Sequence, residues 1–165
     1  DLLRLSRQKV ELFLQSFELQ PILTHLIKDQ QSLLNKKGGA MICTMPDEML
    51  FVCVDQKRLS KALARLLIHA VNYVPSNGRV IIQVLSDDHH ALLRLYHEWP
   101  GMETAAANQA FEQFLPEYQY EGAGLGLGLA LAAEIIKLHR GSIIVENEPG
   151  NRSVLAVRLP LSEDC

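Results

Sequence analysis

The spacing of apolar and polar residues divides this chain into helices and strands. Apolar residues recur at helical spacing over residues 20–39, over residues 56–73, and from the glycine-rich stretch to His139. Residues 79–86 and 91–98 alternate apolar and polar positions around the turn-forming "DDHH" and are predicted as a hairpin. Further strands are predicted over residues 10–19, 40–45, 49–55, 141–148 and 153–161.

Local signals set the ends of these elements. Pro21 suits the first turn of a helix that ends at the glycines after Lys37, and Asp55 is a candidate N-cap for the helix that follows it. Residues 99–121 are irregular, apart from a short helix predicted around residues 107–114. The element order predicts an α+β two-layer sandwich, with three long helices on one face of a mixed, mostly antiparallel sheet.

A glycine run, "EGAGLGLGLALAAEIIKL", precedes the last helix, with glycines at every second position from Gly122 to Gly128. Glycine inside a helix costs about 1 kcal/mol relative to alanine, so another requirement must favour it here. One explanation is an anion held by backbone amides at the helix start, and the other is a tight loop with close packing. The glycines alone leave both explanations open.

Composition excludes several classes of protein. The chain has 165 residues, 48 % of them hydrophobic, with a formal net charge of −3 and no strongly basic run, which argues against a nucleic-acid partner. Cys43, Cys53 and Cys165 are odd in number and widely spaced, so they predict neither a disulfide framework nor a metal site. This cysteine pattern favours a reducing cytoplasm. His139, near a helix C-terminus, is expected only to interact with the helix dipole.

An ordered set of motifs resembles the catalytic and ATP-binding domain of sensor histidine kinases, a Bergerat fold. The stretch 55–80 resembles the N-box helix and its turn, and "HEWPGM" (97–102) stands at the first glycine box. "AFEQF" (110–114) resembles the F-box, and 121–151 resembles the second glycine box. Residues 10–165 would form this domain, and residues 1–9 would be the end of a dimerisation-hairpin helix or a linker. The chain would then be a piece of a longer protein, whose parent could be anchored in a membrane.

The resemblance implies ATP with Mg²⁺ as the ligand. In the family, an N-box asparagine binds Mg²⁺, an aspartate of the first glycine box binds the adenine amino group, and the second glycine box surrounds the phosphates. The phosphorylated histidine would lie on the hairpin, so no catalytic residue is expected within this chain. The family positions for nucleotide contact are Arg65, His69, Asn72, Tyr73, His97, Gly101, Gly122, Gly124, Leu125, Gly126 and Leu127.

This sequence departs from the family pattern at positions that should carry its chemistry. Arg65 and His69 stand at the two N-box asparagine positions, and Asn72 stands where lysine is usual. Imidazole is a poor ligand for Mg²⁺, which prefers hard oxygen donors. A buried polar residue and a phosphate contact are equally compatible with His69, and a protonated His69 beside Arg65 is a further way to replace the metal. No metal ligand is therefore assigned.

The adenine site and the lid depart as well. His97 takes the aspartate position and Trp99 the first glycine position, while Gly101 is retained. The lid "LPEYQYE" carries two glutamates and no Lys or Arg, which opposes the charge of ATP.

Two functions follow from these observations. One is an ATP-binding module that passes the γ-phosphate to a histidine outside this chain, with the dimerisation hairpin, a response regulator and a homodimeric parent as partners. The alternative is an impaired pseudokinase module that binds nucleotide weakly or not at all and acts through protein contacts. A serine-phosphorylating anti-sigma kinase shares the fold, but the hairpin-like N-terminus argues against it.

Overall fold

The computed structural model describes residues 11–97, 127–148, 152–162 and 165 of the chain. The helices of this part are α1 (Leu19–Lys36), α2 (Gln56–Tyr73) and α3 (Leu127–Leu138). Its strands are β1 (Gln15–Glu18), β2 (Ala40–Thr44), β3 (Phe51–Val54), β4 (Arg79–Ser86), β5 (His90–His97), β6 (Ser142–Glu148) and β7 (Arg152–Pro160). The predicted hairpin helix at residues 1–9 and the short helix at 107–114 lie outside the described residues.

Five strands form one mixed sheet in the order β2-β4-β5-β7-β6. Strands β2 and β4 run parallel, and the other three neighbouring pairs run antiparallel. Strands β1 and β3 form a separate antiparallel pair, which an isolated bridge between Val52 and Leu161 connects to the end of β7. The predicted mixed, mostly antiparallel sheet is confirmed.

The helices cover one face of the five-stranded sheet. Alternate residues of β4, Val80, Ile82 and Val84, are buried in one core with the apolar stripe of α2. On the other face Ile42, Leu85 and Ile144 remain exposed, as expected for a sheet with one solvent-facing side. This arrangement confirms the α+β two-layer sandwich.

The first strand is shorter than its sequence pattern predicts. Alternation suggests a strand over residues 10–19, but β1 extends only over Gln15–Glu18 because its partner β3 has four residues. The amide of Leu19 then donates to the Leu50 carbonyl oxygen at 2.8 Å as helix α1 begins. A strand needs a partner for its backbone groups, so an alternating pattern without one does not extend it.

The prediction that the cysteines form no disulfide is wrong for one pair. Cys53 of β3 and Cys165 form a disulfide with their Cα atoms 5.5 Å apart, although 112 positions separate them in sequence. The amide of Ser162 donates to the Phe51 carbonyl oxygen at 2.7 Å, and this hydrogen bond holds the C-terminal segment beside β3. Cys43 stays a free thiol, and burial raises its pKa.

No helix in the described ranges combines the length and the apolar character that crossing a membrane requires.

Candidate functional site

Helix α2 presents a polar face that carries three of the predicted site residues. Arg65, His69 and Asn72 follow one another at helical spacing, while the apolar stripe Leu59, Leu63 and Leu66 is buried on the opposite side. Arg65 is half-buried, His69 is 9 % exposed, and Asn72 is exposed. The structure therefore places these three residues along one side of α2.

Both ends of α2 are closed by side-chain hydrogen bonds. At its start, the Asp55 carboxylate accepts from the Arg58 amide at 3.1 Å, which confirms the predicted N-cap. At its end, the Lys37 ammonium donates to the carbonyl oxygens of Val71 and Asn72 at 2.9 and 3.2 Å. These bonds satisfy backbone groups that a helix end leaves free, and they fix the helix that carries Arg65 and His69.

The Arg65 guanidinium lies against the first turn of α3. A Cβ placed on Gly128 would be 3.8 Å from Arg65 Nη1, and no other atom of a neighbouring element in the described chain would be as close. Alanine would therefore fit against the elements that the structure describes, so packing against those elements does not explain Gly128. The first turn of α3 contains no acidic residue that could pair with the guanidinium.

The donor set on this face does not fit Mg²⁺. His69 offers an imidazole nitrogen, and the exposed Asn72 offers a single neutral oxygen one turn further along, whereas Mg²⁺ prefers several hard oxygen donors. Among the residues that the structure describes, no group of three or more His, Cys, Asp or Glu side chains could hold a metal ion.

Several predicted site residues are placed only in part. His97 ends β5, where it pairs with Ser153 of β7, Tyr73 is the last residue of α2, and Leu127 is the first residue of α3. For these three residues the structure describes the backbone and not the side chain. The remaining predictions for the adenine site and the glycine run concern residues outside the described ranges, namely Trp99, Gly101, Gly122, Gly124, Leu125 and Gly126.

Sequence reasoning missed a buried hydrogen-bond network centred on His139. His139 is 4 % exposed, its Nε2 accepts from the Asp55 amide at 3.0 Å, and its Nδ1 donates to the Ile135 carbonyl oxygen at 2.7 Å. These two partners assign a neutral imidazole with its proton on Nδ1. The expectation that His139 only interacts with the helix dipole is therefore wrong, because the ring joins the end of α3 to the start of α2.

The network continues to the N-terminal segment. The Asp55 carboxylate that caps α2 also accepts from the Phe13 amide at 3.3 Å, and Phe13 lies two residues before the start of β1. Arg58 lies beside the same carboxylate, with its Nε 3.4 Å from Oδ2. His139 and Asp55 thus fix the relative positions of the two helices that carry Arg65 and Gly128.

Residues 54–163 match the family model of histidine kinase-, DNA gyrase B- and HSP90-like ATPases. The chain belongs to this ATPase family. The matched range includes α2, α3 and the whole stretch between them, so it contains every residue of the candidate site.

Curated relatives of this ATPase domain are much longer proteins. The sensor histidine kinase TmoS of Ectopseudomonas mendocina is 26 % identical over 166 residues, which cover 98 % of this chain and 17 % of TmoS. The circadian input-output histidine kinase CikA of a Synechocystis strain is 30 % identical over 111 residues, which cover 66 % of this chain and 15 % of CikA. The chain therefore spans about a sixth of the length of these relatives.

Solved structures of histidine kinases share the fold of this domain. The catalytic domain of the histidine kinase ThkA superposes with a TM-score of 0.77 at 22 % identity, covering 89 % of this chain and 97 % of that domain. The histidine kinase AdeS of Acinetobacter baumannii gives a TM-score of 0.75 at 19 % identity, covering 98 % of this chain and 74 % of AdeS. The structure of ThkA in complex with the response regulator TrrA gives a TM-score of 0.79 at 21 % identity. The match covers 96 % of this chain and 45 % of that chain.

Proposed function

We propose that this chain is the ATP-binding catalytic domain of a two-component sensor histidine kinase. It binds ATP against α2 and the start of α3 and presents the γ-phosphate to a histidine on a dimerisation hairpin of the parent protein. The observation that carries this proposal is the ATPase family match over residues 54–163, which includes both helices. The curated relatives with which this chain aligns are named as sensor histidine kinases, which supports the same activity.

The domain would contribute positioning and charge rather than a reacting group. Phosphoryl transfer depends mainly on alignment and on electrostatic stabilisation of the transferred group. The Arg65 guanidinium lies beside the first turn of α3, so it and the amides of that turn are described groups suited to contact phosphate oxygens. The nucleophile would be the imidazole of the hairpin histidine.

The remaining assignments of the proposal concern the parent protein. Residues 1–9 would continue from a hairpin helix and residues 10–165 would form the catalytic domain. The parent would be a homodimer that phosphorylates a response regulator, and the structure of ThkA with TrrA supports this choice of partner class. We place the domain in the cytoplasm, where the Cys53–Cys165 disulfide would form only under oxidising conditions.

We expect ATP to bind weakly, with a dissociation constant above roughly 100 µM. The reason is that His97 and Trp99 replace the aspartate and the first glycine at the adenine position. Isothermal titration calorimetry measures the affinity, and radiolabelled ATP incubated with the full-length parent measures phosphohistidine formation. Weak binding with acid-labile label on the parent supports the kinase.

Two results would change the assignment. Nucleotide binding without any phosphohistidine would favour the alternative, a pseudokinase module that acts through protein contacts. A magnesium-dependent dissociation constant in the low micromolar range would show that His97 and Trp99 do not impair the adenine site.

A further inference from the structure

The first turn of α3 and the Arg65 guanidinium place positive charge together, and no acidic side chain of the described residues neutralises it. The first-turn amides of a helix carry a partial positive charge, and an adjacent guanidinium is repelled by it. Arg65 nevertheless lies beside Gly128 in that first turn, and it has no hydrogen-bond or ion-pair partner among the residues that the structure describes. Such an arrangement becomes favourable when an anion sits between the guanidinium and the amides.

The same face lacks the groups that would bring a magnesium ion. Position 69 carries an imidazole, and the side-chain oxygen of the described face belongs to Asn72, which is exposed. A guanidinium at position 65 would also repel a divalent cation bound one turn away. The local charges therefore suit phosphate oxygens directly and disfavour a phosphate–metal complex.

We infer that Arg65 supplies the positive charge that a metal ion would otherwise bring, so that this domain binds a nucleoside diphosphate without Mg²⁺. The inference rests on the proposed function, because it concerns the same nucleotide site. The guanidinium offers parallel N–H donors that match two phosphate oxygens, and the α3 amides complete the contact. The ligand class is a nucleoside diphosphate or triphosphate free of divalent metal.

An NMR titration of the 165-residue chain with ADP, in EDTA and in excess Mg²⁺, tests this inference. We expect the two dissociation constants to agree within about twofold, with the Gly128 amide among the shifted resonances. Replacing Arg65 with Gln should weaken ADP binding by roughly tenfold or more, because a charge-assisted hydrogen bond is lost from a half-buried site. The matched control is Lys61→Gln, which removes an exposed cation one turn away and should change the affinity less than twofold.

A second variant places asparagine at both N-box positions where this chain has Arg65 and His69. The double substitution Arg65→Asn, His69→Asn restores both N-box asparagines and should make ADP binding depend on Mg²⁺. If the unmodified chain binds ADP at least tenfold more tightly with Mg²⁺, or if Arg65→Gln binds as well as the parent, the inference is wrong while the proposed function stands. If ADP binds under neither condition, both are wrong.

Discussion

Removing the Cys53–Cys165 disulfide is expected to lower the free energy of unfolding by about 2–4 kcal/mol. The bond joins residues 112 positions apart, so it restricts most of the unfolded chain, and it fixes the C-terminal segment against β3. Urea unfolding of the oxidised protein, the reduced protein and Cys53→Ser measures the effect. The reduced protein and Cys53→Ser should show the same loss.

Cys43 provides the matched control for this experiment. Cys43→Ser keeps the disulfide, so reductant should still destabilise it by the full amount, whereas Cys53→Ser should not respond to reductant. Because burial raises the pKa of the Cys43 thiol, this cysteine should react slowly with alkylating reagents in the folded protein at neutral pH. Equal unfolding curves with and without reductant in the unmodified chain would show that the bond does not form.

Replacing His139 with Phe is expected to lower the free energy of unfolding by about 1–3 kcal/mol. Phenylalanine retains most of the ring volume, but it leaves the buried Asp55 amide without its acceptor and removes one of the two hydrogen bonds that the Ile135 carbonyl oxygen accepts from residue 139. Urea unfolding with the disulfide intact measures the cost. His25→Phe is the control, because His25 is 77 % exposed and its substitution should change stability by less than about 0.5 kcal/mol.

Amide variants separate the two hydrogen bonds of His139. Glutamine can place an oxygen near the position of Nε2 and accept from the Asp55 amide, so His139→Gln should regain part of the stability lost in His139→Phe. His139→Asn can instead place its NH₂ group near the position of Nδ1. If His139→Phe proved as stable as the parent chain, the network would not hold α2 and α3 together.

Local signals were sufficient to predict helix α2 and the β4–β5 hairpin. Asp55 caps α2 through a bond to a residue three positions away, and the hairpin pairs residues on either side of a short turn. Such short-range contacts leave a pattern in adjacent sequence. The observed bounds of both elements accordingly lie within one residue of the predicted ones.

Contacts between distant residues left no such pattern. The His139–Asp55 hydrogen bond spans 84 positions and the disulfide spans 112, so neither has a local spacing that composition or periodicity could indicate. The pairing of β5 with β7 also joins residues that are far apart along the chain. Arg65 and His69 were found through the family resemblance, but the nearness of Arg65 to Gly128 required the structure.

The central claim is that nucleotide binds where α2 meets the start of α3. Amide hydrogen exchange of the 165-residue chain, with and without a non-hydrolysable ATP analogue, locates the contact most directly. The account predicts slower exchange in peptides covering residues 65–73 and 127–131, and unchanged exchange at residues 142–148 on the far edge of the sheet. Protection at that edge alone, or no protection at a saturating concentration of the analogue, would contradict the claim.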